Sequence, residues 1–176
     1  LSQPIVEDSY TQMRNKTIIE LFYATGMRRA ELIDLKISDI DFSQKTIKVL
    51  GKRNKERIVP FSERLKLQII SYLQERRSVL QCDNTHFFVC KDGRSVTGAI
   101  VYNVVKKYIS NIGLRAKCGP HMLRHSFATS LLNNGAELNA VKELLGHSSL
   151  SSTSIYTHIN FDKLKEMYCA HPRANR

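Results

Sequence analysis

Long hydrophobic runs are missing from this sequence of 176 residues, although 42% of its residues are hydrophobic. No stretch approaches the roughly 18 uninterrupted apolar residues of a membrane-spanning helix, so the sequence predicts no membrane span. An initiator methionine and an apolar leader are also missing before Leu1, which favours a trimmed fragment over a secreted protein. Internal repeats are absent, and the length suits a single domain with its own core.

Cysteine is scarce and widely spaced in the sequence. The four cysteines are Cys82, Cys90, Cys118 and Cys169, and no two of them have the short spacing of a zinc knuckle. We therefore expect no structural zinc site. Free thiols are typical of a reducing compartment, so we expect a cytoplasmic protein.

Acidic residues are few compared with basic ones. The chain has 16 Asp and Glu against 27 Lys and Arg, which gives a formal net charge of +11. Such an imbalance is typical of proteins that bind a polyphosphate such as nucleic acid. A well-solvated basic surface without a specific partner would have the same composition, so charge alone leaves both interpretations open.

The hydrophobic pattern predicts a mainly α fold with a small antiparallel β-hairpin, an α+β arrangement. Two β-rich runs, "TIKVL" and "RIVPF", are joined by the basic "GKRNKE" and predict a hairpin over residues 46–61. "HFFVC" is a candidate for a short strand. Apolar periodicity, with glycines at several ends, predicts helices over about residues 12–24, 30–37, 64–80, 97–113, 119–135 and 137–145.

Two of these helices carry apolar stripes at helical spacing. The first stripe comprises Leu65, Ile69, Leu73 and Leu80, and the second comprises Ile100, Val104, Tyr108 and Ile112.

A histidine and an arginine lie three residues apart at the start of the predicted fifth helix. His121 and Arg124 therefore share one helix face and can point into a common site. Pro120 suits the first helical position, which places His121 in the first turn. Backbone amides and the helix dipole favour a bound anion there, so this helix start predicts a phosphate site.

Other polar residues have the chemistry to act on such a phosphate. Arg28 precedes a predicted helix, and two arginines can neutralise charge that builds on a phosphodiester during displacement. Tyr156 supplies a hydroxyl nucleophile if a cationic pocket assists it. Lys52, in the hairpin, can carry a proton to a leaving oxygen.

Taken singly, each of these residues is explained better by an ordinary role. Tyr156 is one of seven tyrosines, and most tyrosines are core or surface residues. His121 and His125 are four apart, but they lack the H-E-x-x-H pattern of a zinc site. Arg28 and Glu31 could form an ion pair of little consequence. Their order and spacing along the chain decide the question.

Four blocks of the sequence resemble the signature blocks of the tyrosine recombinases. They are "ATGMRRAEL", "GKRNKERIVP", "HMLRHSFATSLL" and "LLGHSSLSSTSIYTH", and the terminal "HPRA" resembles the tail of bacterial Xer-type members. The likeness runs from about residue 16 to residue 174. Four blocks in the right order are far more specific than any one of them. The resemblance implies the catalytic-domain fold of this family.

The resemblance also implies roles for the matching residues in DNA cleavage. Arg28 and Arg124 would clamp the phosphate, and Glu31 would orient the site. Lys52 would be the general acid for the leaving 5′ oxygen.

Three further roles follow from the histidine and tyrosine blocks. His121 would handle protons, His147 would bind the phosphate, and Tyr156 would be the nucleophile. The implied product is a covalent 3′-phosphotyrosyl intermediate with a free 5′ hydroxyl. Strands could then be exchanged without ATP, a metal ion or any other cofactor.

Family members carry an N-terminal core-binding domain that has no counterpart here. The resemblance therefore implies that residues 1–176 are the catalytic domain alone, with reduced specificity for full DNA sites. It implies double-stranded DNA as the partner. It also implies a homo- or hetero-tetramer on DNA that assembles through the C-terminal helix.

The sequence departs from the family pattern at three positions. Ala30 replaces the usual serine, Arg29 adds a charge, and Arg53 replaces a glycine common in the hairpin turn. Lys55 lies three residues after Lys52 in the same turn and is a second candidate for the general acid.

Two other classes of protein would share many of these features. Type IB topoisomerases use a similar pocket to relax DNA, but the Xer-type tail favours recombination. A basic DNA-binding protein without catalytic activity is the second alternative, and it would form no covalent complex with DNA.

Overall fold

The structure is a computed structural model that describes residues 7–51, 55–80, 84–111, 119–133 and 135–146. These residues form a mainly helical domain with a small antiparallel sheet, so the predicted α+β fold is confirmed. None of the described helices is both long and apolar enough to cross a bilayer. The elements are α1 (Ser9–Thr25), α2 (Arg29–Asp34), a 3₁₀ turn (Ile37–Asp39), β1 (Ile40–Asp41), β2 (Thr46–Leu50), β3 (Glu56–Pro60), α3 (Glu63–Val79), α4 (Gly98–Asn111), α5 (Pro120–Asn133) and α6 (Leu138–Leu145).

Helix α1 lies at the centre of the domain and packs against α3, α4 and α5. It begins earlier than predicted because the Asp8 carboxylate accepts a hydrogen bond from the Thr11 amide and caps the helix. Gly26 ends the helix in the left-handed conformation, with φ of 59°. Ile18, Leu21 and Phe22 are completely buried and anchor the core.

The three strands form one antiparallel sheet in the order β1-β2-β3. Its larger part is the predicted hairpin, in which Ile47 pairs with Val59 and Val49 pairs with Arg57. Strand β1 was not predicted, because two residues are too short to show an alternating pattern. Residues 52–54, at the hairpin turn, lie outside the described residues.

The prediction of a strand at residues 86–90 is wrong. This segment makes isolated β-bridges to residues elsewhere in the chain and belongs to no strand of the described sheet. Phe87, Phe88 and Val89 are all completely buried, so the segment contributes core side chains in both directions. The run is apolar because it fills the core, and its length alone could not show whether it also forms a ladder.

The apolar stripe of α4 also differs from the prediction by one residue. Val101, Val105 and Ile109 are buried, whereas Tyr108 is 38% exposed. Both stripes are apolar and have the same spacing, so the sequence could not distinguish them. In α3, Leu65 and Ile69 are buried as predicted, but Leu80 lies just beyond the helix end.

Candidate active site

Three predicted site residues come together near the carbonyl end of α6. Arg28 precedes the first turn of α2, Glu31 lies within that turn, and Arg124 comes from the middle of α5. Arg28 Nη1 lies 2.9 Å from Glu31 Oε1, and the Arg28 guanidinium also donates to the carbonyl of Gly146 at 2.9 Å. Arg124 donates to the next carbonyl back along the chain, that of Leu145, at 2.6 Å.

Among the residues that the structure describes, Glu31 is the one carboxylate of this cluster, and it is almost completely buried. It accepts the backbone amide of Arg28 at 2.6 Å, which also satisfies a free donor at the start of α2. Burial by itself would raise the pKa of Glu31, but hydrogen bonds from Arg57 and Arg28 outweigh it and hold the pKa at about 2. Glu31 is therefore ionised at neutral pH.

Arg57 is a member of the cluster that the sequence analysis did not identify. Its two terminal nitrogens donate to the two carboxylate oxygens of Glu31 at 2.9 and 2.7 Å, a bidentate ion pair. Its Nε donates to the carbonyl of Leu144 at 2.9 Å. Strand alternation holds a signal for it, because Arg57 lies on the same face of β3 as the buried Val59.

Arg124 is the buried partner of Arg28 and is 8% exposed. Besides Leu145, it donates to the carbonyl of Gly26 at 2.5 Å, so it links the ends of α1 and α6. Burial lowers the pKa of Arg124 to about 10, and the positive charge of Arg28 adds to this effect. Arg124 remains protonated at neutral pH.

Three arginines thus bind three consecutive carbonyls where α6 ends. Arg57, Arg124 and Arg28 donate to the carbonyls of residues 144, 145 and 146 in that order. These carbonyls have no hydrogen-bond partner within the helix and lie at the negative end of its dipole, so cations are favourable there. The contacts fix the direction in which the chain leaves α6 through Gly146, whose φ is 66°.

The cluster is positively charged and partly open to solvent. Three guanidinium groups and one carboxylate give these four side chains a net charge of +2. The Arg28 side chain is 26% exposed, whereas that of Arg57 is 6% exposed. Arg28 can therefore meet an anion from solvent, and phosphate oxygens suit a guanidinium well.

The other predicted site residues are placed only in part. His121 is exposed in the first turn of α5, which begins at Pro120 as predicted. It lies one turn before Arg124, whose side chain is buried. Lys52, His147 and Tyr156 lie outside the described residues, but Gly51 and Gly146, which precede two of them, are described.

The described residues also bear on the alternative of a metal site. Within them, no group of three or more His, Cys, Asp or Glu side chains is arranged so that it could hold a metal ion. His121 and His125 are both exposed on α5.

Comparison with protein families gives one match that spans most of the chain. Residues 4–163 match the model described as the phage integrase family. The tyrosine recombinase XerC of Thermodesulfovibrio yellowstonii is 44% identical over 167 residues, which cover 92% of this chain and 56% of that protein. The tyrosine recombinase XerD of Halalkalibacterium halodurans is 42% identical over 99% of this chain and 59% of its own length. The chain thus spans less than two thirds of these relatives.

Solved structures show the same relationship. A crystal structure of XerA recombinase is 32% identical and has a TM-score of 0.69, covering 98% of this chain and 66% of that one. The XerH site-specific recombinase in a post-cleavage complex with its palindromic difH substrate is 35% identical, with a TM-score of 0.74. That match covers 94% of this chain and 48% of the XerH chain.

Proposed function

Because the chain belongs to the phage integrase family, we propose that it cleaves and rejoins DNA strands in site-specific recombination. The observation that supports this most directly is the cluster of Arg28, Glu31 and Arg124 beside the carbonyl end of α6. The cluster brings together the first and third of the four sequence blocks with the start of the fourth, and its positive charge suits a phosphodiester. We further propose that residues 1–176 are the catalytic domain of such an enzyme.

Arg28 and Arg124 are the proposed clamp for the scissile phosphate. Both are held in place before DNA arrives, by Glu31 and by backbone carbonyls. Preorganised donors aimed at developing negative charge lower a barrier without reorganisation during the reaction. His147 directly follows Gly146, so the phosphate contact proposed for it would lie next to this clamp.

Tyr156 is the proposed nucleophile. Its hydroxyl oxygen attacks phosphorus and forms the phosphotyrosyl bond, while the bond from phosphorus to the 5′ oxygen breaks. Lys52 gives a proton to the departing 5′ oxygen, and His121 accepts the proton that the tyrosine hydroxyl loses. The second step reverses these bonds with a 5′ hydroxyl from another strand, so the energy of the phosphodiester is retained. These two steps require neither ATP nor a metal ion.

The proposed partner is double-stranded DNA, in keeping with the +11 charge of the chain. Recombination joins two duplexes, so we propose a homo- or hetero-tetramer on DNA, assembled through the C-terminal helix. A DNA-cleaving enzyme related to bacterial recombinases would work in the cytoplasm, where bacterial DNA lies.

The test is covalent capture on suicide substrates. Nicked duplexes with randomised arms are designed to lose a short fragment after cleavage, which traps the phosphotyrosyl adduct. We expect adducts with the parent chain on a denaturing gel, and sequencing the trapped DNA then gives the preferred site. Tyr156→Phe should still bind duplex but form no adduct.

Two results would contradict the proposal. An adduct that persists in Tyr156→Phe would show that Tyr156 is not the nucleophile. Duplex binding by the parent chain without any adduct would indicate a DNA-binding protein without catalysis. Type IB topoisomerase activity is distinguished by supplying two intact duplexes that carry the trapped site, because a recombinase yields reciprocal recombinant duplexes, whereas a topoisomerase only reseals the strand that it cut.

A further inference from the structure

Arg57 has every side-chain nitrogen engaged within the protein. Nη1 and Nη2 bind Glu31, Nε binds the Leu144 carbonyl, and the residue is only 5% exposed. With Nε, Nη1 and Nη2 all bound to protein groups, this guanidinium has few donors left for DNA. Any influence that Arg57 has on phosphate chemistry must therefore pass through the groups that it holds.

Arg57 and the two groups that it holds belong to three separate parts of the chain. Glu31 lies in α2, Leu144 lies in α6, and Arg57 itself lies in β3 directly after the hairpin turn. The contacts join residues that are 26 and 87 positions apart in the sequence. Arg57 is thus a junction between the hairpin, the helix that Arg28 begins, and the end of α6.

The guanidinium also lies against the two glycines that lead to Lys52 and His147. A Cβ on Gly51 would lie 3.8 Å from Arg57 Nη1 and 3.8 Å from Glu31 Oε1. A Cβ on Gly146 would lie 3.3 Å from the same Nη1. Arg57 therefore supports the backbone at both points where the chain continues to these residues.

We propose that Arg57 is a positioning residue for DNA strand cleavage, an inference that rests on the proposed function. It locks the Glu31 carboxylate, which in turn orients the Arg28 guanidinium, and it holds the hairpin base against the end of α6. Loss of this junction displaces the clamp from the scissile phosphate. A misplacement of about 1 Å is enough to cost on the order of 10²-fold in rate.

The geometry of the contact requires arginine. Lysine keeps the charge but has one ammonium group, which cannot bind both Glu31 oxygens and the Leu144 carbonyl in the same fork. Arg57→Lys should therefore keep more of the cleavage rate than Arg57→Met.

The test is a double-mutant cycle with Glu31. The quantity measured is the single-turnover rate at which folded protein cleaves a suicide duplex. We expect Arg57→Met to slow cleavage roughly 10²-fold while DNA affinity stays within a few fold. Arg57→Lys should fall between it and the parent. Since Arg57 acts mainly through Glu31, the double variant Arg57→Met/Glu31→Gln should be little slower than the slower single variant.

Arg76 is a matched control for the loss of a buried arginine. It is 7% exposed on α3 and donates to the carbonyls of Asn84 and His86, away from the cluster. Arg76→Met should lower the melting temperature but leave the cleavage rate of folded protein unchanged.

Parental cleavage rates in Arg57→Met would overturn the proposal, and so would fully multiplicative effects of Arg57→Met and Glu31→Gln. If Arg57→Met does not fold, Arg57→Lys decides, because cleavage at the parental rate there would show that the fork is not needed. Failure of the proposed function looks different, since the parent chain itself would then form no adduct.

Discussion

Glu31 should make the stability of the protein depend on pH. Its pKa is about 2 in the folded chain against an ordinary value of 4.5. The ionised carboxylate is therefore more stable in the folded chain than in the unfolded chain, and it favours folding. That contribution is complete above 4.5 and is lost as the pH falls through the folded pKa of about 2. A pKa difference of this size corresponds to roughly 3 kcal/mol.

We therefore expect Glu31→Gln to lower the free energy of unfolding at neutral pH and to converge on the parent as the solution is acidified. Denaturant unfolding measured at a series of pH values across that interval tests this. Glu63→Gln is the control, because Glu63 is 59% exposed and its ion pairs with lysines should contribute little. A constant difference between Glu31→Gln and the parent at every pH would contradict the prediction.

The residues of the cluster differ in how far the sequence reveals them. Arg28, Glu31 and Arg124 were predicted because they lie at fixed places in ordered blocks, and the structure brings them together. Arg57 was missed although it lies inside one of those blocks. It contacts Glu31 and Leu144, which are far from it in the sequence, and local patterns along a chain carry little information about such distant pairings.

At the scale of elements, the junction between α1 and α5 depends on Gly26. Its φ of 59° is unfavourable for other residues, and a Cβ there would lie 2.4 Å from Phe127 Cδ1. Gly26→Ala should therefore combine backbone strain of about 1–2 kcal/mol with overpacking of about 1–3 kcal/mol. It should also slow cleavage, because Gly26 supplies a carbonyl that holds Arg124.

Gly135 separates the two effects. Its φ is 87°, but no atom of the residues that the structure describes lies within 4 Å of the position that a Cβ would take. Gly135→Ala should cost only the backbone strain and leave cleavage unchanged. Thermal unfolding and single-turnover cleavage of both variants test this, and equal losses of stability would show that the contact with Phe127 is readily relieved.

The hairpin is the element that tests the proposed general acid. Lys52→Ala should be slow on ordinary DNA, because the 5′ alkoxide is a poor leaving group without a proton. A 5′-bridging phosphorothioate leaves more readily, so it should restore cleavage in Lys52→Ala. Arg124→Ala, which loses charge stabilisation, should not be restored. Rescue of Lys55→Ala in place of Lys52→Ala would assign the acid to Lys55, and rescue of neither would exclude a hairpin lysine.

Elements were predictable where their signals are local. The helices and the hairpin follow from apolar periodicity, from glycine ends and from β-rich runs, and the structure has them close to the expected positions. The segment at residues 86–90 and the buried stripe of α4 were not predictable. In both, several adjacent residues are apolar, and only packing against the rest of the core decides which of them face inward.

At the scale of the whole molecule, the charge of +11 could act through general attraction or through defined phosphate contacts. Both make DNA binding depend on salt, and they are distinguished by how single substitutions change that dependence. Each phosphate that a basic side chain neutralises releases counterions, which adds about 0.9 to the slope of log affinity against log salt. A steep loss of affinity is therefore expected between low and physiological salt.

Arg28 and Arg76 form the matched pair for this measurement, since replacing either one by methionine removes a single positive charge. Arg28 is partly exposed beside the proposed phosphate position, whereas Arg76 is buried against backbone carbonyls elsewhere. Arg28→Met should reduce the salt slope by about 1, and Arg76→Met should leave it unchanged. Equal reductions in both variants would show that net charge governs binding and that Arg28 makes no defined contact. A slope near zero in the parent chain would contradict the proposal that DNA is the partner.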